Sequence, residues 1–254
     1  MAIFNTVPPL AAGAGIKFDG ERISTAAAPR NLLDNSDFRN PVNQRGQTSY
    51  TGEYGIDRWR VWTSDTLTVN SGYITGNGYV FQYFLPSEVQ NRVHTLAAKK
   101  TDGSILLYIK NPHEAYSVAD NGLGLGLDTN VVVSLKTGSY LWAALYEGSY
   151  TAETLPEYQP KGYGAELAEC KRYYQKFHRV GMFGLTGAYV TGFAFGTEFR
   201  AVPAVNVTSL LDLPEWVERN VTSVIADSKG VQFIHSDNCK SVAHKVEGDA
   251  TADL

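Results

Sequence analysis

The chain has 254 residues, a formal net charge of -4 and 19% charged residues, so it lacks the strongly basic footprint with which proteins bind a nucleic-acid backbone. Apolar residues make up 43% of the sequence, and the abundance of Tyr, Phe and Gly favours β structure with many turns. No apolar run reaches the roughly 18 residues of a membrane span, and the N-terminus lacks a secretory pattern, so we expect a soluble protein that is not secreted by that route.

The first 30 residues are rich in Ala, Gly and Pro and show no sustained hydrophobic period. Such a segment buries too little surface to offset its ordering entropy. Residues 1–30 are therefore predicted to be an arm that is disordered or is ordered by a partner. Within it, residues 16–18 and 21–23 flank Asp19-Gly20, which is typical of a short β-hairpin.

Residues 31–152 carry short apolar segments separated by Gly, Asn and Asp turn residues. This spacing predicts a mainly β domain, an antiparallel jelly-roll sandwich. Trp59 and Trp142 are predicted to lie in its core. The predicted strands are residues 56–61, 66–69, 79–84, 94–99, 104–110, 131–135 and 139–146.

Residues 153–178 predict a linker followed by one α-helix over residues 162–177. Leu167, Cys170, Tyr174 and Phe177 recur at i, i+3, i+7 and i+10, so a helix would present them as one apolar stripe. A single short helix between two β regions is predicted to be a packing and connecting element.

Residues 179–254 predict a smaller β module with strands at 191–195, 197–209, 221–227 and 231–236. The tail at 247–254 is polar and is predicted to be frayed. Four predicted strands are too few to cover their apolar side chains, which predicts a contact with another subunit. The predicted oligomer contacts are Leu167, Tyr174, Phe177, Phe193, Phe195 and Trp216.

Motifs that carry chemistry are missing from the sequence: it has no HExxH, no GxSxG, no P-loop and no GxGxxG in a βαβ setting, so no catalytic residue and no cofactor are predicted. The glycine-rich run 121–126 is not followed by a helical pattern and is interpreted as a flexible turn rather than a phosphate loop. Asp120 and Asp128 are weak calcium candidates, and otherwise no metal is predicted. A carboxylate pair for glycoside hydrolysis stays open, because no pair stands out.

Several segments resemble known families. The run Asn-Leu-Leu-x-Asn-x-Asp-Phe at 31–38 and the closing strand near 145–148 resemble jelly-roll carbohydrate-binding modules. Segments 40–46, 54–59, 154–160 and 169–174, in that order, resemble a family of phage and prophage tail-fibre or minor structural proteins. The resemblance covers roughly residues 31–210 and implies a virion component, usually a homotrimer, with a sandwich, a helix and a C-terminal β module. It implies no catalytic residues.

Aromatic side chains are the remaining candidates for function. Trp62, Tyr73, Tyr79 and Tyr83 are predicted to bind a glycan, because aromatic rings stack on the C–H faces of sugars. The resulting hypothesis is a non-enzymatic structural component of a bacteriophage particle, made in the bacterial cytoplasm, whose arm contacts other virion proteins. A tail fibre or receptor-binding protein is preferred. The alternatives are a capsid or neck decoration fibre without a receptor role and a tail-associated glycan depolymerase.

Overall fold

The computed structural model describes residues 16–19, 22–25, 29–52, 55–181, 189–195, 197–213, 217–218, 221–235 and 243–252. In this part the fold is almost entirely β, with one α-helix and a 3-10 turn at Pro86–Glu88. The elements are β1 (Ile16–Asp19), β2 (Arg22–Thr25), β3 (Ser49–Thr51), β4 (Arg60–Val61), β5 (Thr66–Asn70), β6 (Tyr73–Asn77), β7 (Val80–Phe84), β8 (His94–Lys100), β9 (Ile105–Lys110), β10 (Ser117–Val118), β11 (Leu123–Leu127), β12 (Val131–Leu135), β13 (Gly138–Glu147), α1 (Tyr163–Cys170), β14 (Tyr174–Gly181), β15 (Tyr189–Ala194), β16 (Ala204–Leu213), β17 (Val217–Glu218), β18 (Val221–Ala226), β19 (Gly230–His235) and β20 (Ala243–Thr251).

Two antiparallel sheets form the sandwich. The six-stranded sheet has the order β3-β5-β6-β13-β8-β9, and the five-stranded sheet has the order β10-β11-β12-β7-β4. The chain crosses between them after β3, β4, β6, β7, β9 and β12, the wrapped path that jelly rolls use. The predicted fold class, a mainly β jelly-roll sandwich with one linking helix and a smaller C-terminal β module, is confirmed.

The core lies between the two sheets and follows the two-residue period of the strands. In β12, Val131, Val133 and Leu135 are fully buried, and they face residues such as Leu96 and Leu145 of the six-stranded sheet. Burying a side chain of this kind contributes about 1.5–3 kcal/mol, so the cluster is the main source of the sandwich's stability.

The predicted strand over residues 56–61 is wrong for its first part. Residues 56–59 form a tight turn, and only Arg60–Val61 pairs as a strand. Gly55 N–H donates to the Trp59 carbonyl at 3.0 Å, and Arg58 adopts a φ of 70°. Ile56, Asp57, Arg58 and Trp59 are all buried, so the alternation in the sequence does not correspond to two faces.

The predicted helix is also too long. It ends at Cys170, and Tyr174 and Phe177 belong to β14, which pairs with β20. Aromatic residues such as these favour strands, and all eight residues of β14 pair with β20. This pairing stabilises the segment as a strand more than one further helical turn would. The buried face of the helix consists of Glu166 and Cys170, whereas Leu167 is only half-buried, which corrects the predicted apolar stripe.

The C-terminal region contains a four-stranded sheet, β14-β20-β16-β17, and a three-stranded sheet, β15-β19-β18. The prediction of a frayed tail is wrong for residues 247–252, because β20 pairs with β14 on one side and β16 on the other. Ala250 is fully buried in a cluster with Phe195 and Phe199. In the N-terminal region, β1 and β2 pair as the predicted hairpin.

A buried polar cluster around Asn35, which we call the joint (Asp34, Asn35, Asp57, Arg58 and Glu166), connects the sandwich to the helix. The Asn35 amide donates to the carbonyls of Val42 at 2.8 Å and Asp57 at 2.7 Å. Its side-chain oxygen accepts the Val42 N–H at 2.7 Å, and its own N–H donates to the Glu166 carboxylate at 2.6 Å. Asn35 has a φ of 50°, a left-handed conformation that asparagine tolerates better than most residues.

Charges at the joint are paired internally. Asp34 contacts Arg58 Nε at 3.1 Å and Lys161 Nζ at 3.1 Å, and Lys161 Nζ also reaches Glu169 at 2.6 Å. Burial opposes ionisation of Asp34, but Arg58 and the contacts with Glu169 and Lys161 outweigh it and lower its pKa. Burial raises the pKa of Glu166.

The joint continues into the C-terminal module. The backbone N–H and the side-chain amide of Gln44 both donate to the Asp57 carboxylate. The same side-chain amide also donates to the Tyr174 carbonyl at 2.8 Å. Two guanidinium groups contact the Tyr173 ring, with Arg58 at 3.6 Å and Arg200 at 5.1 Å from its centroid. These contacts tie the start of β14 to the sandwich.

We expect Asn35→Ala to destabilise the sandwich by about 3 kcal/mol or more, because it leaves several buried backbone groups without partners and puts alanine at a positive φ. Chemical denaturation followed by tryptophan fluorescence measures the effect. The matched control is Asn70→Ala, whose amide binds Thr75 Oγ1 at 3.1 Å in a half-buried position and whose loss should cost about 1 kcal/mol or less. Equal losses in the two variants would contradict the assigned role of Asn35.

A second prediction concerns His94, which is fully buried. Its Nδ1 lies 2.8 Å from the Arg92 carbonyl, an acceptor, so Nδ1 carries the proton, and Nε2 has no hydrogen-bond partner among the described residues. Burial, supported by Arg92 and His113 and opposed by the Arg92 carbonyl and Glu147, lowers the pKa of His94 below its usual 6.5. The folded state therefore resists protonation, and His94 costs stability as the pH falls below about 6.5.

Urea unfolding of the wild type and His94→Gln at pH 7 and pH 5 tests this sign. The wild type should lose more unfolding free energy than the variant over this interval, since other groups titrate equally in both. A wild type that loses no more than the variant would show that the protonated imidazole is accommodated.

Candidate functional site

The outer face of the five-stranded sheet carries the candidate site. Because side chains alternate along a strand, Phe81 and Tyr83 of β7 point away from the core, as do Val132 and Ser134 of β12. The register places Phe81 opposite Ser134 and Tyr83 opposite Val132. The sheet face therefore has two cross-strand rows, each with one aromatic ring.

Strand β11 is built largely from the glycine-rich run, and the interpretation of this run as a flexible turn is wrong for residues 123–126. A Cβ at Gly124 would lie 2.2 Å from Ser134 Oγ and 2.5 Å from the Tyr116 hydroxyl. A Cβ at Gly126 would lie 2.6 Å from the Tyr116 Cα. The glycines are needed because the segment around Tyr116 lies directly against the strand.

Together these elements enclose an open groove of about 440 Å³, within the size range of ligand sites. Half of its lining residues are aromatic. Trp62 contacts Phe81 edge-to-face at 5.8 Å, and Phe81 contacts Tyr83 edge-to-face at 5.1 Å. The lining residues are Trp62, Tyr79, Phe81, Tyr83, Ala115, Tyr116, Leu127, Asp128, Val132 and Ser134.

Asp65 holds the two turns that carry Trp62 and Tyr79. Its N–H donates to the Trp62 carbonyl at 2.9 Å, and its carboxylate accepts the Tyr79 N–H at 2.7 Å. Gly78 has a φ of +97°, and a Cβ there would overlap the Asp65 carboxylate at 1.9 Å. Trp62 is consequently placed at the rim by backbone contacts while 59% of it remains exposed.

Polar groups in the groove are mainly hydroxyls. The Tyr116 hydroxyl and Ser134 Oγ lie 2.7 Å apart. Burial raises the pKa of Tyr83 and of Tyr116, so both phenols stay protonated at neutral pH and keep their O–H donors. The exposed Asp128 is also among the lining residues and carries a carboxyl group.

The structure brings together three of the four predicted glycan-binding aromatics, Trp62, Tyr79 and Tyr83. Tyr73 lies in β6 of the six-stranded sheet and does not line the groove. Sequence reasoning missed Phe81 and Tyr116. The two-residue spacing of positions 79, 81 and 83 was a usable signal for Phe81, whereas nothing local in the sequence indicates that Tyr116 lies across β11.

Asp120 and Asp128, the predicted calcium candidates, do not form a carboxylate cluster in the described residues. Among the described residues, three carboxylates do lie close together, those of Asp34 and Glu166 in the joint and that of Glu169 beside it. Lys161 lies within 3.1 Å of both Asp34 and Glu169, so an ammonium group already supplies the positive charge that a cation would bring.

Among the predicted oligomer contacts, Tyr174 and Phe195 are buried within the chain itself, so the prediction is wrong for these two. Tyr174 receives the Arg45 guanidinium over its ring at 3.9 Å, and Phe195 packs against Phe199 at 4.7 Å. The chain therefore buries these two rings itself, although the small number of predicted strands had suggested that another subunit would cover them. Phe177 and Phe193 lie in β14 and β15, with side chains outside the described part, and Trp216 lies outside the described residues.

No family model, no curated protein and no solved structure matches this chain. Within the described residues, no helix has the length and apolarity that crossing a membrane requires. The resemblance to phage tail-fibre proteins therefore stays a prediction, and the groove is the feature from which a function is argued.

Proposed function

We propose that this protein binds a glycan in the groove on its five-stranded sheet. The observation that carries the proposal is the continuous aromatic wall of Trp62, Phe81 and Tyr83 beside the Tyr116–Ser134 hydroxyl pair. Pyranose rings have apolar C–H faces that stack on aromatic rings and equatorial hydroxyls that exchange hydrogen bonds with protein hydroxyls. An open groove with this mixture of surfaces suits a segment of a sugar chain.

The biological setting follows from the family resemblance. We propose a structural component of a bacteriophage particle, with a tail fibre or receptor-binding protein as the preferred assignment and a host-surface glycan as the ligand. Residues 1–30 would contact other virion proteins, and the protein would be located in the virion. A decoration fibre without a receptor role would have no use for a preformed aromatic groove, which supports the receptor-binding assignment.

Hydrolysis of the glycan receives less support than binding. Glycoside hydrolysis commonly needs two carboxyl groups about 5–10 Å apart across the scissile bond. Among the described residues that line the groove, Asp128 is the single carboxylate. Asp65 is not among the lining residues, and its carboxylate accepts the Tyr79 N–H at 2.7 Å. Binding without cleavage is therefore the function that the groove supports best.

We expect Trp62→Ala to weaken glycan binding by at least about tenfold, because a stacked ring supplies much of the affinity at such sites. A glycan array identifies a ligand, and isothermal titration calorimetry then compares the two proteins. Trp62 is exposed, so the variant should stay folded.

Tyr73→Ala is the matched control, since it removes a half-buried aromatic from the other sheet. It should leave the affinity unchanged. An equal loss in the two variants, or none in Trp62→Ala, would move the site away from the groove.

We also propose that the chain forms a homotrimer through the helix and the C-terminal module, as the resemblance implies. Tyr163 at the helix start is 47% exposed, and Val202 and Ile225 in the C-terminal module are 66% and 54% exposed, so these apolar groups offer contact surface. Light scattering should give about three times the chain mass of 27.8 kDa.

Replacing Val202 and Ile225 together by Glu should shift the protein to the monomer, because burying unpaired carboxylates at a subunit contact is costly. The same double change at Ile105 and Ile109, each 43% exposed on the edge strand β9, is the control and should leave the trimer intact. A monomeric wild type at micromolar concentration would refute the assembly.

A further inference from the structure

We infer that the groove selects sugars that carry an acetamido group, and that Tyr116 determines this specificity by donating a hydrogen bond to the acetamido carbonyl. The inference deepens the proposed glycan-binding function and rests on it. It starts from the Tyr116–Ser134 hydroxyl pair, because the burial of Ser134 decides which of the two hydroxyl protons is available to a ligand.

Ser134, in strand β12, has only 1% of its surface exposed. Its Oγ lies 2.7 Å from the Tyr116 hydroxyl and has no other hydrogen-bond partner within the part of the chain that the structure describes. A buried hydroxyl proton needs an acceptor, so Ser134 donates to the phenol oxygen. Tyr116 then keeps its own proton for a different acceptor, and its oxygen is already engaged by Ser134.

Strand β11 holds the phenol of Tyr116 in place. The Tyr116 N–H donates to the Leu127 carbonyl at 2.9 Å. A Cβ at Gly124 would lie 2.5 Å from the Tyr116 hydroxyl, so the phenol takes the space that a side chain would fill. Tyr116 is half-buried and lines the groove. The donor is therefore positioned before a ligand arrives, which reduces the entropy that binding costs.

Apolar side chains line the groove close to this donor. Ala115 precedes Tyr116 in the chain and forms an isolated bridge with Leu127, and both residues belong to the lining. Val132 lies two residues from Ser134 on the same face of β12, which corresponds to about 7 Å along the strand. An acetamido group carries a carbonyl oxygen and a methyl group on the same carbon, so it matches a hydrogen-bond donor beside an apolar surface.

A sugar hydroxyl in place of the acetamido group lacks the methyl and brings a proton that the engaged phenol oxygen cannot readily accept. A neutral hydrogen bond changes affinity by about two- to tenfold, and burial of a methyl group by about fourfold. The acetamido sugar should therefore bind about tenfold more tightly. Both groups are neutral, so salt should leave this preference unchanged.

The test uses glycan pairs that differ only in this group: chitooligosaccharides against cello-oligosaccharides, and N-acetylgalactosamine oligosaccharides against galactose oligosaccharides of the same linkage. The proteins are the wild type, Tyr116→Phe, and Tyr116→Phe combined with Ser134→Ala, which leaves no buried hydroxyl without a partner. The control is Tyr108→Phe, because the Tyr108 hydroxyl forms a similar pair with Ser117 Oγ at 2.9 Å outside the groove lining. Isothermal titration calorimetry measures binding at low and at high salt.

We expect the wild type and Tyr108→Phe to prefer the acetamido member of a pair by about tenfold at both salt concentrations, and Tyr116→Phe to narrow this preference by about two- to tenfold. Adding Ser134→Ala should narrow it no further, because Ser134 acts through the phenol.

A wild type that binds the hydroxyl member as well as the acetamido member, or an unchanged ratio in both Tyr116 variants, overturns the inference while glycan binding stands. The same holds if the wild type binds only glycans without an acetamido group on a broad array. Binding of no glycan on that array overturns both the inference and the proposed function.

Discussion

The side chain of Asn35 is the contact on which the rest of the structure depends. It donates a hydrogen bond to the carbonyl of Val42, accepts one from the Val42 N–H and donates another to the carbonyl of Asp57. The backbone N–H of Asn35 donates to the carboxylate of Glu166. Each of these buried groups would be costly to leave unpaired, so one residue fixes two loops of the sandwich and the linking helix together. The Trp59 indole adds a further bond to the Asn35 carbonyl at 2.9 Å.

This arrangement explains the motifs that carry the family resemblance. Residues 31–38, 40–46, 55–59 and 169–174 are scattered in the sequence but meet at the joint and its contacts with β14. Arg58 shows how the joint supports the groove, because its guanidinium binds Asp34 at 3.1 Å and donates to the Tyr83 carbonyl at 3.1 Å. The motif residues therefore act as structural residues that hold β7 in place.

The sequence predicted the regular parts of the fold and missed those decided by distant contacts. Strand β12 agrees with its prediction because its short apolar run pairs with a strand on each side. The turn at residues 56–59 was missed since the positive φ of Arg58 and the buried Asp57 leave no periodic signal. The end of α1 was missed because β14 pairs with β20, far along the chain. Three of the four predicted aromatics line the groove, but Tyr116 was missed because its position depends on the glycines of β11.

The joint and the groove draw on different residues, and this separation bears on function. The groove side chains come from β7, β12, the turn at Trp62 and the segments around Tyr116 and Asp128, none of which belongs to the motif segments. They stand on the solvent side of the five-stranded sheet, while the joint contacts the backbone of β7 at Tyr83. Substitutions in the groove therefore leave the buried hydrogen bonds of Asn35 intact. Such a scaffold would allow the proposed ligand to change without loss of the fold, because the groove side chains take no part in the buried contacts of the joint.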